Sequence, residues 1–191
     1  MIDAEHDASL ELLRTKIRAI PDFPSPGILF RDITPLLADP LAFATAIELH
    51  VHRIADLAGS LDLVVGMESR GFLFGAVVAA RLDLGFVPAR KPGKLPAATI
   101  EESYSLEYGN NALQMHADAL GPLGPLGPLG HGMRVLIVDD LLATGGTALA
   151  TAKLVERLGG RVEACLFLIE LEGLLGREKL AGYRVESILR Y

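Results

Sequence analysis

The sequence contains no tryptophan and one cysteine, Cys165, among 191 residues. A single thiol forms no intrachain disulfide and no cysteine-based metal site, so a reducing, cytoplasmic compartment is expected. Excess positive charge is also lacking: 18 Lys and Arg stand against 24 Asp and Glu, a net charge of −6. Duplex binding usually needs a basic face, so nucleic acid is not an expected partner, although a local basic pocket for a phosphorylated ligand remains open. No long hydrophobic run exists. The longest uncharged apolar stretch, Gly71 to Ala80, falls far short of the roughly 20 residues that span a bilayer, so no membrane partner is expected. The acidic start Met1-Ile2-Asp3-Ala4-Glu5-His6-Asp7 has no apolar run behind it, so no signal peptide is expected. His6, His50, His52, His116 and His131 lack ligand spacing, and His50 and His52 fall on different faces of one helix, which argues against zinc.

Half of the residues are hydrophobic and 22% are charged, the balance of one globular domain with a full core. Leu10, Leu13, Ile17 and Ile20 recur at helical spacing behind Ser9, a candidate N-cap. Pro21, Pro24 and Pro26 then break the helix, and Ile28 to Asp32 reads as extended. Asp39-Pro40 has the form of an N-cap with proline at the first helical position, opening an apolar stripe of Ala44, Ile47, Val51, Ile54 and Leu57 that Gly59 ends. Apolar strand patterns at Leu61–Gly66, Gly85–Ala89, Arg134–Asp139, Arg161–Leu171 and Val185–Leu189 alternate with helical ones at Gly71–Leu82 and Gly146–Leu158. That rhythm predicts an α/β fold: a central, mostly parallel sheet flanked by helices. Cys165 sits within one apolar strand as a core thiol.

Two stretches break the rhythm. Residues 90–120 are polar and read as a long loop or β-hairpin, a length that is usually functional, often as a lid. Residues 121–130 spell Gly-Pro-Leu three times and then Gly, too few copies for a solenoid, and read as a surface loop expansion.

The chemistry concentrates in Val135 to Ala148. Ligands of open parallel sheets bind beyond the carboxyl ends of the strands, where Asp139 and Asp140 fall. Ala143, Thr144, Gly145, Gly146 and Thr147 form a small-residue turn that opens a helix, so backbone N–H groups and the helix dipole can receive an anion. No Gly-Lys-Ser/Thr follows and no Gly-x-Gly-x-x-Gly is present, which sets aside a triphosphate loop and a dinucleotide fingerprint. With a sugar's 5′-phosphate in the turn, the two carboxylates lie where its adjacent hydroxyls fall.

Val135 to Thr147 resembles the phosphoribosyl-pyrophosphate motif of the type I phosphoribosyltransferases. The likeness extends along nearly the whole chain through Asp22-Phe23-Pro24, Phe30-Arg31-Asp32-Ile33, Ser69-Arg70-Gly71, Gly93-Lys94-Leu95-Pro96, Ser103 to Gly109 and Gly176 to Leu180. It implies one domain over residues 1–191, with a small hood mainly at 1–35, a mobile β-hairpin loop at about 90–120 and the repeat at 121–130. It also implies transfer of a phosphoribosyl group from phosphoribosyl pyrophosphate to a purine, adenine, by a homodimer using Mg2+ held mainly by substrate and water. Another purine such as xanthine, or a non-enzymatic sensor of phosphoribosyl pyrophosphate, remain alternatives.

Carried onto this chain, the resemblance makes Asp139 and Asp140 the ribose carboxylates and Ala143 to Thr147 the 5′-phosphate turn. Glu68, Ser69 and Arg70 become the pyrophosphate loop, with a non-proline cis peptide at Glu68–Ser69 and Glu68 where the family more often has Asp. Arg90, Lys91 and Lys94 would approach the pyrophosphate, Arg90 in the same or the neighbouring subunit. Glu107 becomes the loop's acid/base residue, and Leu29, Phe30 and Arg31 contact the purine. Read without the resemblance, Arg70 is a weak anion signal, Arg90 to Lys94 a solvated basic turn, Glu107 a solvated carboxylate and Phe30 a core ring.

Overall fold

The computed structural model describes residues 2–106, 109–120 and 132–191. Glu107 and the Gly-Pro-Leu repeat at 121–130 lie outside the described residues. The chain folds through α1 (Ile2–Thr15), β1 (Arg18–Pro21), β2 (Leu29–Asp32), α2 (Thr34–Ala38) and α3 (Pro40–Arg53). It continues with β3 (Leu63–Met67), α4 (Gly71–Arg81), β4 (Gly85–Ala89), β5 (Thr99–Leu106) and β6 (Gly109–His116). The last part holds β7 (Arg134–Leu142), α5 (Gly146–Arg157), β8 (Arg161–Glu170), α6 (Gly176–Lys179) and β9 (Val185–Arg190).

Five strands form one parallel sheet in the order β4-β3-β7-β8-β9, with β7 at its centre. Side chains alternate across a strand, so β7 supplies both faces. Leu136 and Val138 pack with Leu13, Leu36, Ile47 and Phe74 on one side, beneath α1 to α4. Val135 and Ile137 pack with Phe167, Ala152, Val155 and Met115 on the other, beneath α5 and the β5–β6 hairpin. Burial on both faces is why these strands read as unbroken apolar runs. Cys165 belongs to the second cluster, and burial pushes its thiol up to about 12.

Asp39 caps α3 by accepting from the amides of Leu41 and Ala42, both at 3.0 Å, with Pro40 in the first turn. Two expectations are corrected. Ser9 lies inside α1, where its hydroxyl donates to Glu5 O; the helix ends at Thr15, and Ile20 belongs to β1, paired with Phe30 of β2. In α3 the buried residues are Ala42, Ala46, Ile47 and His50; of the expected stripe Ile47 and Ile54 are buried, Ala44 is exposed, and Leu57 packs on the core from a separate 3-10 turn. A histidine among the buried residues breaks the apolar pattern, which explains why the sequence pattern held Ile47 and Ile54 but passed over Ala42, Ala46 and His50.

His50 is fully buried and stacks on Phe74, ring centroids 5.4 Å apart. Its Nδ1 lies 2.6 Å from Ala46 O, which only accepts, so Nδ1 carries the proton and Nε2 sits without a partner in the core. Burial pulls its pKa down to about 4. The unfolded chain therefore binds the extra proton first, and stability falls as pH drops from about 6.5 towards 4. Denaturant unfolding should show a loss of ~3 kcal/mol across that window relative to His50→Phe, which keeps the ring but cannot titrate. Parallel pH profiles for the two proteins would overturn this assignment.

Candidate functional site

The end of β7 sets the site. Val138 ends the unbroken run of buried apolar residues that begins at Val135; Asp139 is half-buried, Asp140 is only 4% exposed, and Leu142 returns to the core at the end of the strand. The Asp140 amide donates to Asp139 Oδ1 at 2.9 Å, fixing the first carboxylate over the backbone of the second. Arg70 Nε meets Asp140 Oδ2 at 3.0 Å. Burial raises the pKa of both carboxyls; at Asp139 the neighbouring Asp140 charge pushes the same way, whereas Arg70 partly restrains Asp140.

Beyond the carboxylates, a small cavity of about 60 Å3 is lined by Asp139, Leu141 and the whole Ala143–Ala148 turn, backed by Phe167. Gly145 precedes α5 in the left-handed conformation, φ 76°, and no side chain caps that helix. The first amides of α5, in residues that line the cavity, therefore have no side-chain acceptor, the arrangement that receives a phosphate. The Thr147 hydroxyl lies 3.1 Å from Tyr104 Oη on the β5–β6 hairpin. Glu102 pairs with Lys153 and Arg157 of α5 and ties the hairpin down on the same helix. Tyr104 was missed by sequence reasoning, because a tyrosine in a polar hairpin carries no pattern of its own.

The second arm comes from β3. Its end leads into Glu68, Ser69 and Arg70, with a cis peptide between Glu68 and Ser69. Helix α4 starts at Gly71 directly against β7: a Cβ there would lie 2.7 Å from Asp139 Oδ1 and 2.8 Å from Val138 O. Only glycine permits that approach, and it brings Arg70 to Asp140. Glu68 is already engaged, accepting from Arg90 Nε at 3.2 Å and from the Lys91 amide at 3.0 Å. Arg90 also donates to Lys94 O at 3.1 Å. Glu68 thus anchors the Arg90–Lys94 segment beside Arg70, while the side chains of Lys91 and Lys94 are exposed.

A larger cavity of about 500 Å3 opens on the far side of Arg70. The antiparallel β1–β2 pair forms its roof and contributes Ile20, Phe30 and Asp32; Phe23, Leu37 and Leu73 complete the apolar wall. Phe30 packs edge-on to Phe23 at 5.1 Å, and the Arg70 guanidinium lies 5.4 Å from the Phe30 ring centroid. Asp32 accepts from Arg18 and from both the amide and hydroxyl of Thr34, and these bonds hold its carboxyl down at about 2. Leu29 is exposed, and Arg31 points to the other side of β2, its guanidinium 4.0 Å from the Tyr191 ring centroid. The structure therefore brings Phe30 to the cavity with Arg70 but does not bring Arg31 there. Ile20, Phe23 and Leu73 line it without having been foreseen.

An open parallel sheet with paired carboxylates and an uncapped glycine turn beyond its central strand is the framework of a protein that grips a sugar phosphate. The chain belongs to the phosphoribosyltransferase family: the phosphoribosyl transferase domain model matches residues 32–186. It is 56% identical to the adenine phosphoribosyltransferase of Carboxydothermus hydrogenoformans over 179 residues, covering 94% of this chain and 99% of that one. The adenine phosphoribosyltransferase of Methylococcus capsulatus is likewise 56% identical, over 95% of this chain and 100% of its own. Among solved structures, the adenine phosphoribosyltransferase of Thermoanaerobacter pseudethanolicus superposes with a TM-score of 0.87 at 52% identity, covering 95% and 99% of the two chains. The Saccharomyces cerevisiae adenine phosphoribosyltransferase, complexed with an imino-altritol bisphosphate and adenine, gives 0.86 at 36% identity, with the same coverage.

Because Asp139 binds its proton more tightly in the fold than in the unfolded chain, its charge at neutral pH is a cost to stability. Asp139→Asn should therefore keep or raise Tm at pH 7, by ~2–4 °C for each ~1 kcal/mol relieved. The gain should shrink as pH falls through the raised native pKa and vanish below ~4, where the unfolded carboxyl protonates as well. A lower Tm for the variant at neutral pH would show that the charge is net stabilising there.

Proposed function

We propose that this protein transfers a 5-phosphoribosyl group from phosphoribosyl pyrophosphate to adenine, giving AMP and diphosphate, and so serves purine salvage. The observation that carries the reading is Arg70, which touches Asp140 on one side and Phe30 on the other. One side chain thereby joins the sugar-phosphate end of the site to an aromatic cavity large enough for a purine.

In this reading the 5′-phosphate rests on the amides of Ala143 to Thr147, with the hydroxyls of Thr144 and Thr147 as further donors. Asp139 and Asp140 hold the ribose hydroxyls. As diphosphate departs, positive charge grows on the sugar, and two carboxylates that burial has left short of compensation meet it. Arg70 exchanges its Asp140 partner for the leaving diphosphate, joined by Lys91, Lys94 and Arg90, which Glu68 holds nearby. Among the described residues no three His, Cys, Asp or Glu side chains converge into a metal site, so Mg2+ would be held chiefly by diphosphate oxygens and water. When bound, it supplies neutralisation of the diphosphate charge. The purine lies against Phe30 in the cavity beneath β1 and β2, beside Arg70.

Glu107, in the mobile loop at about 90–120, handles the proton that adenine loses as the new N-glycosidic bond forms. Closure of that loop excludes water from the cationic sugar. The hood at 1–35 completes the single domain. We place the enzyme in the cytoplasm as a homodimer; the buried Cys165 thiol and the family resemblance support that setting.

Steady-state turnover with adenine, guanine, hypoxanthine and xanthine tests the reading: adenine should be the productive base, and turnover with xanthine instead would overturn it. Asp139→Asn and Asp140→Asn should each lower kcat by about a hundredfold or more with the fold intact. Glu107→Gln keeps shape but cannot accept a proton, so kcat should fall about 10²–10⁴-fold while phosphoribosyl pyrophosphate affinity holds. Normal kcat with weakened affinity would make Glu107 a positioning group.

A further inference from the structure

Outside the two pockets, Glu170 is the one buried acidic side chain among the described residues, 5% exposed at the last position of β8. Arg177 meets it with a two-pronged contact, Nε to Oε1 at 2.9 Å and Nη2 to Oε2 at 2.6 Å. Ser187 donates to Glu170 Oε2 at 2.6 Å, and Arg177 Nη1 donates to Val185 O at 2.7 Å, both on β9. Arg177 holds the Glu170 carboxyl below its usual range. Glu170 is buried whereas the Arg177 side chain is 39% exposed, and Arg190 Nε lies 3.6 Å from Glu170 Oε2 as a further neighbour. An ion pair that takes a carboxylate out of water often adds little net stability over apolar replacements, and its better-attested use is to hold a geometry.

What this pair holds is the residue before Arg177. Gly176 is buried against the phosphate turn: a Cβ on it would overlap Ala143 O, and a Cβ on Gly145 would lie 2.5 Å from Gly176 O. The turn's backbone therefore rests directly on the Gly176 backbone. On the other side, Glu170 stands in register with Leu142, the residue that enters the turn, and the Leu171 amide donates to Leu142 O at 2.9 Å. Strand register, ion pair and backbone contact close a ring: Leu142 to Glu170, Glu170 to Arg177, Gly176 to Ala143 and Gly145. Of that ring, Leu142 and the turn line the small cavity, while Glu170, Arg177 and Gly176 stand behind them.

We infer that Glu170 and Arg177 are positioning residues for the 5′-phosphate: their pair presses Gly176 under Ala143 and Gly145 and so fixes the amides that receive the phosphate. The inference rests on the phosphoribosyl reading of the turn. Neither side chain touches substrate. Their effect falls on the phosphate end of the site, leaving the purine cavity beyond Arg70 untouched.

The test measures the Kd of ribose 5-phosphate by calorimetry, the KM values of both substrates, and Tm. Arg177→Met should raise that Kd and the phosphoribosyl pyrophosphate KM about tenfold or more, with adenine KM within about twofold. Arg177→Lys, which keeps the charge without the fork, should recover part of the loss. Should Arg177→Met fold poorly, Glu170→Leu with Arg177→Met removes both charges together; a stable double variant with weakened ribose 5-phosphate binding supports positioning. Wild-type Kd in either folded variant overturns it and leaves a purely stabilising pair. Thr144→Val and Thr147→Val separate the two claims. If they weaken ribose 5-phosphate binding while the Arg177 variants do not, only the positioning role fails. If wild-type protein does not bind ribose 5-phosphate, or binds it regardless of either threonine, the reading of the turn itself fails.

Discussion

Two adjacent carboxylates at the end of the most enclosed strand set the terms for everything around them. Charge removed from water costs several kcal/mol per group unless something compensates it. At Asp140 part of that compensation is Arg70 at 3.0 Å; at Asp139 it is little more than the next amide along the chain. Strand β7 has neighbours on both edges and helices on both faces, so its end cannot shift to bring the carboxylates into solvent. The surrounding elements are fitted to it. Helix α4 approaches through Gly71 without a side chain between, and β3 delivers Arg70 from the adjacent position in the sheet.

The cationic groups are spread unevenly. Arg70 is paired with Asp140, Arg90 with Glu68, and Arg177 with Glu170, while Lys91 and Lys94 reach into solvent. A protein of net charge −6 cannot attract a polyanion by its overall field. Arg70 and Arg90 instead stand near one another at the site, resting on Asp140 and Glu68, with Lys91 and Lys94 exposed beside them, whereas Arg177 is held on Glu170. Glu68 shows the economy of this arrangement: one carboxylate orders both a guanidinium and a backbone amide of the next segment. A longer carboxylate than the family's usual Asp at this position still reaches that segment from β3.

The parallel sheet and the turn after β7 were legible because burial on both faces leaves an unbroken apolar run that ends abruptly in acid and glycine. Gly85–Ala89 and the start of α5 at Gly146 fall where the sequence pattern puts them. Ile20 was not legible: the spacing of Leu13, Ile17 and Ile20 suits a helix as well as it suits a helix end followed by a hood strand. Nor was the whole buried face of α3, since a buried histidine reads as polar. Arg31 shows a different failure. Its partner Tyr191 lies at the other end of the chain, and no local pattern announces a contact of that separation. Glu170 and Arg177 are only seven residues apart, yet charges at such spacing are normally solvated, and nothing in their identities declares that Glu170 is buried beneath Arg177.

The two ends of the site differ in stiffness, and the difference has a consequence for how binding becomes catalysis. The phosphate turn continues the central strand, packs on Phe167 and rests against the Gly176 backbone. The cavity proposed for the purine is roofed by a pair of four-residue strands, with Phe23 and Leu73 about half exposed on its rim. A ligand bridging both must conform to the rigid end and be accommodated at the other. In the proposed reading the phosphate, which takes no part in the bond exchange, would therefore set the position of the anomeric carbon relative to Asp139, Asp140 and Arg70. Binding energy gained there is converted into orientation at the reacting centre. The reverse layout, a rigid base pocket and a loose phosphate turn, would fix the acceptor and let the sugar drift from the carboxylates that must meet its charge.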